Sequence, residues 1–265
     1  MTISEGLQLG TNLIGRRDAM LLLCHMTGQS SAYILLHGDE LLQSKTQFLE
    51  YVSRRSRGEP LQYIIGQWEF MGRTFKTDSR ALIPRPETEL LVEEALQTLQ
   101  KRHKHVISSV LDMCTGSGCI AASIAAAGNY SVTAADISAD ALSLARENCA
   151  GSDINFVQSD LFDNITGLFD IIISNPPYIA ANEMDSLPPT VLNYEPHLAL
   201  HGGSDGMYIY RRLIPQSLKF LKPGGTLLLE IGPEAVYDLM PDCGFKNVRL
   251  KKDYAGLPRI VIGEK

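Results

Sequence analysis

The sequence comprises 265 residues, of which 45% are hydrophobic and 20% charged, with a net charge of −6 at neutral pH and a mean hydropathy of −0.02. These values are typical of soluble globular proteins and exclude disordered and collagen-like chains. No apolar run approaches the roughly 20 residues that span a bilayer, and the N-terminus lacks the basic and apolar regions of a secretory signal. We therefore expect a cytoplasmic protein that does not bind a membrane.

The charge is unevenly distributed along the chain. Residues 1–85 carry 10 Lys/Arg against 8 Asp/Glu, a net of +2, whereas residues 86–265 carry 14 against 22, a net of −8. This asymmetry indicates two units, and an acidic larger unit is a poor electrostatic partner for duplex DNA. The five cysteines include no CxxC pair, and the histidines add no metal-ligand spacing. We therefore expect reduced thiols, no metal and no direct nucleic-acid partner.

The N-terminal part of the chain has helical patterns without strand alternation. Apolar residues at helical spacing predict a helix over residues 17–26 that ends near Gly28, and Ser44 is a candidate N-cap of a further helix that runs to Gly58. The β-forming residues between Glu59 and Thr77 predict a β-hairpin connector. These patterns predict three regions: a small helical domain (1–58), a β-hairpin linker (59–85) and a larger domain (86–265).

The larger domain begins with a predicted helix to Gln100 and then alternates strands with helices. Strands are predicted at residues 106–112, 131–136, 154–158, 169–175 and 226–230, with residues 222–225 as a turn. Two further segments, 245–250 and 259–262, are predicted to close the sheet as an antiparallel hairpin. The alternation predicts an α/β fold with a doubly wound, mostly parallel, seven-stranded sheet behind a small N-terminal helical domain.

A glycine-rich loop follows the first predicted strand of this sheet. Gly116 and Gly118 stand at the carboxyl end of that strand, where open α/β sheets bind ligands. Asp136 ends the second strand, and its carboxylate can accept hydrogen bonds from both hydroxyls of a ribose. This arrangement predicts a nucleoside pocket. Residues 116–121 also satisfy the GxGxxA form of the dinucleotide fingerprint, so a nicotinamide oxidoreductase remains an alternative at this point.

The tetrapeptide after the fourth strand predicts the chemistry. Asn175 offers a side-chain oxygen, and Pro176 offers a backbone carbonyl. Because the two consecutive prolines have no N–H to donate, this carbonyl is free to accept a hydrogen bond from another group. Together they can accept both hydrogens of a planar –NH₂ group, and Tyr178 can pack over that group. An amide or aromatic amine held in this way becomes a better nucleophile for methyl transfer. We therefore predict that Asn175, Pro176 and Tyr178 are catalytic.

The sequence resembles a known family through a combination of motifs. They are Glu59-Pro60, residues 83–89 (IPRPETE), the 115–118 loop, residues 159–162 (SDLF) and residues 175–178 (NPPY). From about Arg16 to the C-terminus the chain is similar to the release factor glutamine methyltransferases. The resemblance implies a class I methyltransferase, Rossmann-like domain. It also implies transfer of the methyl group of S-adenosyl-L-methionine to the glutamine side-chain amide in the Gly-Gly-Gln motif of class I peptide chain release factors.

The resemblance also implies roles for individual residues. Cofactor binding is expected of Cys114, Thr115, Gly116, Ser117, Gly118, Asp136, Asp160, Leu161 and Asn175. Substrate binding is expected of Asn175, Pro176, Pro177 and Tyr178. The helical domain is expected to help recognise the release factor, and the enzyme to be a monomer.

Two features depart from the family pattern. Cys114 stands where the family usually has glycine, and we expect it to be tolerated through an ordinary φ. The chain before Arg16 is short, which predicts a curtailed first helix and puts substrate contacts there in doubt.

Two alternatives remain for the activity. An adenine-N6 nucleic-acid methyltransferase shares the same NPPY clamp on a flipped base, although the net of −8 and the lack of a large recognition insertion argue against it. A nucleoside-sensing scaffold would be unaffected by Asn175→Ala, whereas an enzyme would lose turnover. The unusually long connection of residues 179–210 is predicted to help form the substrate mouth.

Overall fold

The computed structural model describes residues 1–101 and 107–265. The helices are α1 (Ile3–Ile14), α2 (Arg16–Thr27), α3 (Ser31–Leu36), α4 (Lys45–Ser56), α5 (Leu61–Ile65), α6 (Pro86–Gln100), α7 (Cys119–Ala127), α8 (Ala139–Asn148), α9 (Pro189–Leu192), α10 (Tyr208–Phe220) and α11 (Ala235–Asp242). The strands are β1 (Gln67–Phe70), β2 (Arg73–Lys76), β3 (Ser109–Met113), β4 (Ser131–Asp136), β5 (Ile154–Gln158), β6 (Phe169–Ser174), β7 (Leu221–Glu230), β8 (Lys246–Lys252) and β9 (Pro258–Glu264). Residue 106, the predicted start of the first strand, lies outside the described residues. Within the described residues, none of the helices combines the length and apolarity needed to cross a bilayer.

The chain divides into two compact units. The first comprises Met1–Gln67 with Pro188–Tyr194, and the second comprises Trp68–Leu187 with Glu195–Lys265. Residues 188–194 of the long connection therefore belong to the helical unit, which sequence spacing did not indicate.

The short chain before Arg16 forms helix α1, which has 12 residues. Helix α1 begins with a capping box, in which Glu5 N–H donates to Thr2 Oγ1 at 3.2 Å and Thr2 N–H donates to Glu5 Oε2 at 2.9 Å. These two bonds satisfy backbone donors that the first turn otherwise leaves unpaired. Helix α4 begins after Ser44 as predicted, but that side chain makes no capping hydrogen bond.

The prediction of β structure from residue 59 onwards is wrong for its first part. Tyr63, Ile64 and Ile65 lie in helix α5, which begins after Pro60. Leu61 and Ile64, three residues apart, bury their side chains in the core of the helical unit, and a strand would place them on opposite faces. The β-hairpin is therefore shorter than predicted and consists of β1 and β2.

The second unit contains a seven-stranded sheet in the order β5-β4-β3-β6-β7-β9-β8. The pairs from β5 to β7 are parallel, and β9 pairs antiparallel with both β7 and β8. This confirms the predicted fold class, including the antiparallel closing hairpin. The predicted turn at residues 222–225 lies instead inside β7, where the register with β6 shifts. Leu221 pairs with Phe169 and Thr226 with Ile171, so the turn residues form an irregularity within the strand.

Two apolar cores cover the two faces of this sheet. Successive residues of a strand point to opposite faces, and Val110 on β3 joins one core while Leu111 joins the other. Helices α6 and α7 pack on the first face, through Leu91 and Ile124 among others, and α10 and α11 pack on the second. Because both faces are covered, the central strands are mostly apolar, which explains why they were recognisable in the sequence.

Candidate active site

The candidate site lies where the strand order reverses. Strand β3 lies between β4 and β6, and the carboxyl ends of β3 and β6 are adjacent, with Met113 paired to Ser174. Open α/β sheets bind ligands in the crevice that forms at such a point. An open cavity with about 770 Å³ of empty space, its mouth included, is located here.

Seven of the predicted site residues line this cavity: Cys114, Thr115, Gly116, Ser117, Asp136, Asn175 and Pro177. The remaining lining residues include Arg80, Ala81, Ile83, Pro84, Arg85, Thr88, Ile137, Ser138, Pro196, Leu198 and Ala199. Gly118, Asp160, Leu161, Pro176 and Tyr178 are not among the described residues that line it.

The glycine loop is held by a buried carboxylate. Asp112, at the end of β3, accepts hydrogen bonds at Oδ2 from Thr115 Oγ1 (2.6 Å) and from the N–H of Ala121 (3.1 Å), so it ties the loop to α7. Burial raises the pKa of Asp112 to about 7. Gly118 adopts a φ of 79°, and a Cβ there would lie 3.0 Å from Ala145 Cβ. Glycine is therefore required at this position both by conformation and by space.

The expectation of an ordinary φ at Cys114 is wrong. Cys114 has a φ of 62°, in the left-handed region, which costs an L-residue with a side chain about 1–2 kcal/mol. The loop geometry that favours glycine here is therefore kept although a cysteine occupies the position. Burial and nearby carboxylates raise the pKa of its thiol well above the ordinary range, so the thiol is neutral.

Asp136 presents its carboxylate to the cavity. Oδ2 accepts from the N–H of Gly116 and Oδ1 from the N–H of Ser138, both at 2.9 Å. Each oxygen retains a second lone pair, so the carboxylate can accept from two further donors. Burial raises the pKa of Asp136, and the backbone donors oppose that rise.

Asn175 also lines the cavity, and its carboxamide has a defined orientation. Its Nδ2 donates to Thr88 Oγ1 at 3.1 Å, and Thr88 Oγ1 donates to Glu230 Oε2 at 2.7 Å. One N–H of the Asn175 amide is thus bonded to Thr88, and Oδ1 is the end of the carboxamide that can accept a ligand N–H.

Tyr178 is held by the connection that follows it. Ile179 N–H donates to Leu200 O at 2.9 Å, and Gly202 N–H donates to Ile179 O at 2.8 Å. A Cβ at Gly206 would lie only 2.4 Å from the carbonyl oxygen of Tyr178. Burial raises the pKa of the Tyr178 phenol to about 12, so the ring is neutral. The long connection therefore fixes the backbone of the tetrapeptide.

Two predicted cofactor residues lie beyond the end of β5. Asp160 accepts a hydrogen bond from Arg212 Nη2 at 2.9 Å. Leu161 is buried in the same core as Phe162 and has a φ of 50°. Neither lines the cavity directly.

Sequence reasoning missed a buried ion pair beside the cavity. Glu195, whose side chain is 1% exposed, accepts from Arg85 Nη2 at 2.5 Å and from the N–H of Ile83 at 3.1 Å. It thereby links the segment before α6 to the long connection, and Pro196 lines the cavity. No local spacing in the sequence indicates a contact between residues 110 positions apart. The Glu195-Pro196 dipeptide can be read from the sequence, but it does not identify Arg85 as the partner of Glu195.

The described residues contain no group of three or more His, Cys, Asp or Glu side chains placed to hold a metal ion.

Comparison with solved structures identifies the fold. The catalytic domain of hMettl16 in complex with MAT2A 3'UTR hairpin 6 matches with a TM-score of 0.58 at 15% identity, over 82% of this chain and 80% of that one. A methyltransferase from Pyrococcus furiosus matches with a TM-score of 0.53 at 17% identity, over 83% and 97%. At these identities the likeness establishes the fold alone.

Comparison of sequences identifies the family. The family model described as methyltransferase small domain matches residues 87–189, and the PrmC N-terminal domain matches residues 11–66. The release factor glutamine methyltransferase of Koribacter versatilis is 42% identical over 260 residues, 94% of this chain and 91% of that protein. Those of Rhodopirellula baltica and Yersinia pestis are 40% and 38% identical over 94% of this chain, and over 89% and 92% of their own lengths. The chain therefore belongs to the release factor glutamine methyltransferase family.

Proposed function

We propose that this protein methylates the side-chain amide nitrogen of the glutamine in the Gly-Gly-Gln motif of class I peptide chain release factors, with S-adenosyl-L-methionine as the methyl donor. The observation that carries the proposal is the position of Asn175, which lines the same cavity as the glycine loop with its amide nitrogen already bonded to Thr88. The names of relatives that align over nearly the whole chain support the release factor as the substrate.

The lining of the cavity fits the nucleoside part of this cofactor. Asp136 offers two carboxylate oxygens with lone pairs to spare for the ribose hydroxyls. Residues 114–117 line the cavity and, together with Gly118, are proposed to hold the amino-acid part, and Asp160 and Leu161 are proposed for the adenine side. When bound, S-adenosyl-L-methionine supplies a sulfonium methyl group that a nucleophile can accept.

The chain's own contribution to the reaction is to position an amide. An amide nitrogen is a weak nucleophile because its lone pair is delocalised into the carbonyl. Asn175 Oδ1 and the carbonyl of Pro176 accept its two N–H groups, which fixes the nitrogen in place and shifts electron density towards it. Positioning of this kind can lower a barrier by about 7–11 kcal/mol in favourable cases. Tyr178 is proposed to pack over the bound amide.

The helical unit and the long connection are proposed to bind the rest of the release factor. Pro196, Leu198 and Ala199 from the connection line the cavity, which supports a role in forming its mouth. We further propose that the enzyme acts in the cytoplasm as a monomer without contacting nucleic acid directly. The net charge of −8 over residues 86–265 supports a protein rather than a nucleic-acid substrate.

The test is methyl transfer to a purified release factor with isotopically labelled cofactor, followed by mass analysis of the peptides. We expect one methyl group on the motif glutamine, and none when that glutamine is replaced by alanine. Asn175→Ala should abolish transfer, whereas Asn155→Ala, an exposed asparagine on β5, should not affect it. Methylation of another residue, or of added nucleic acid in preference to the factor, would contradict the proposal.

A further inference from the structure

A buried chain of three side chains runs from the cavity wall into the protein. It comprises Asn175 after β6, Thr88 in the first turn of α6 and Glu230 at the end of β7. Strands β6 and β7 are adjacent, with Ser174 paired to Leu229, so Asn175 and Glu230 follow neighbouring positions of the sheet. Thr88 is 3% exposed and Glu230 1% exposed. Neither residue has a role in the chemistry described above.

Hydrogen-bond polarity along this chain is determined from its inner end. Burial raises the pKa of Glu230 to about 7, so its carboxylate is ionised above that pH. In the ionised form it only accepts hydrogen bonds and requires the single hydroxyl proton of Thr88, and the 2.7 Å separation of Oγ1 and Oε2 fits this bond. Thr88 Oγ1 then has only lone pairs left for Asn175. The carboxamide must therefore turn its Nδ2 towards Thr88, as the 3.1 Å contact has it.

This polarity matters because a carboxamide has two ends of similar shape. If the hydroxyl proton of Thr88 pointed at Asn175, the carboxamide would be stable in the flipped orientation, with Nδ2 facing the cavity. A donor in that place opposes the N–H groups of a substrate amide instead of accepting from them. The backbone at the inner end of this hydrogen-bond chain is held in place. The fully buried Tyr210 donates from Oη to the backbone carbonyl of Glu230 at 2.7 Å.

We propose that Glu230 is a positioning residue that acts through Thr88 to hold the Asn175 carboxamide with its oxygen towards the substrate amide. This inference rests on the proposed function and adds to it the origin of the orientation of Asn175. Residues 83–89, which contain Thr88, thereby contribute to the reaction site as well as forming the start of α6.

The test uses the full-length protein and variants at Thr88. Thr88→Val removes the hydroxyl at nearly constant volume, and Thr88→Ser retains it. Thr98→Val is the matched control, because Thr98 lies on the same helix and its hydroxyl donates to the backbone carbonyl of Glu94. With a release factor as methyl acceptor, we expect Thr88→Val to lower kcat about ten- to a hundredfold while KM for the cofactor changes less than about twofold. Thr88→Ser should restore kcat to within about threefold of wild type, and Thr98→Val should leave it unchanged. Wild-type kcat in Thr88→Val, or an equal loss in Thr88→Ser, would overturn the proposal.

A second measurement does not depend on the substrate. In the free protein the side-chain NH₂ signals of Asn175, assigned by their loss in Asn175→Asp, should exchange slowly with solvent and change shift in Thr88→Val but not in Thr98→Val. Signals unaffected by Thr88→Val would refute the hydrogen-bond chain even if methyl transfer occurs. Absence of methyl transfer from the wild type, with these signals behaving as expected, would instead refute the proposed function.

Glu230→Gln keeps the proposal testable if the Thr88→Val variant does not fold. Glutamine can present either an oxygen or an NH₂ group to Thr88, so both orientations of Asn175 become populated. We expect a loss of kcat smaller than that of Thr88→Val, and a change in the Asn175 NH₂ signals. An unchanged kcat together with unchanged signals would overturn the proposal.

Discussion

The left-handed conformation of Cys114 predicts that Cys114→Gly is more stable than Cys114→Ala, the reverse of the order expected inside a helix. Its φ of 62° disfavours any residue with a Cβ by about 1–2 kcal/mol. Glycine escapes this strain but gains about 0.4–1 kcal/mol of conformational freedom in the unfolded chain relative to alanine. Cys114→Gly and Cys114→Ala lose the same thiol, so their comparison isolates the backbone contribution. The glycine variant should be more stable by about 1 kcal/mol.

Thermal unfolding measures this difference, which corresponds to about 2–4 °C in Tm for a chain of this size. The matched control is Cys119, which is buried and begins helix α7. There glycine should be less stable than alanine by about 0.5–1 kcal/mol. An alanine variant at Cys114 as stable as the glycine variant, or the same order of stability at both positions, would refute the argument from strain.

Three further predictions concern groups around the site. Glu195→Gln removes the charge that pairs with Arg85 and should lower the free energy of unfolding by about 1–3 kcal/mol. Urea denaturation measures this difference, and an unchanged free energy of unfolding would show that the pair contributes nothing to stability. Gly206→Ala places a Cβ against the carbonyl of Tyr178 in a residue with a φ of 73° and should reduce methyl transfer at least about tenfold; full activity would mean that the connection does not position the tetrapeptide. Burial raises the pKa of Glu230 to about 7, above its unfolded value of 4.5, so its contribution to stability is fully present below pH 4.5 and lost as the pH rises through 7. The difference in unfolding free energy between wild type and Glu230→Gln should therefore change between these pH values, and a constant difference would contradict the burial argument.

Features that depend on neighbouring residues were predictable from the sequence. The buried strands of the sheet appear as short apolar runs because helices cover both faces, and Asp136 ends β4 at the edge of the sheet where the cavity lies. The NPPY tetrapeptide was assigned to the cavity because it follows a strand that ends at the same edge of the sheet as the glycine loop.

Features that depend on distant contacts were not predictable in the same way. The ion pair of Arg85 with Glu195 and the bond of Thr88 to Glu230 join residues 110 and 142 positions apart, and no periodicity reports such contacts. The helical state of Ile64 is decided by packing in the core of the helical unit, which overrides its preference for strands. The φ of Cys114 follows from the loop rather than from the residue that occupies it.

The most direct test is a crystal structure of the protein with S-adenosylhomocysteine and a peptide that contains the Gly-Gly-Gln motif. The account predicts that the glutamine side-chain nitrogen lies within about 3 Å of both Asn175 Oδ1 and the carbonyl oxygen of Pro176, with Asn175 Nδ2 still bonded to Thr88. A glutamine bound elsewhere, or an Asn175 carboxamide with its nitrogen towards the peptide, would contradict it.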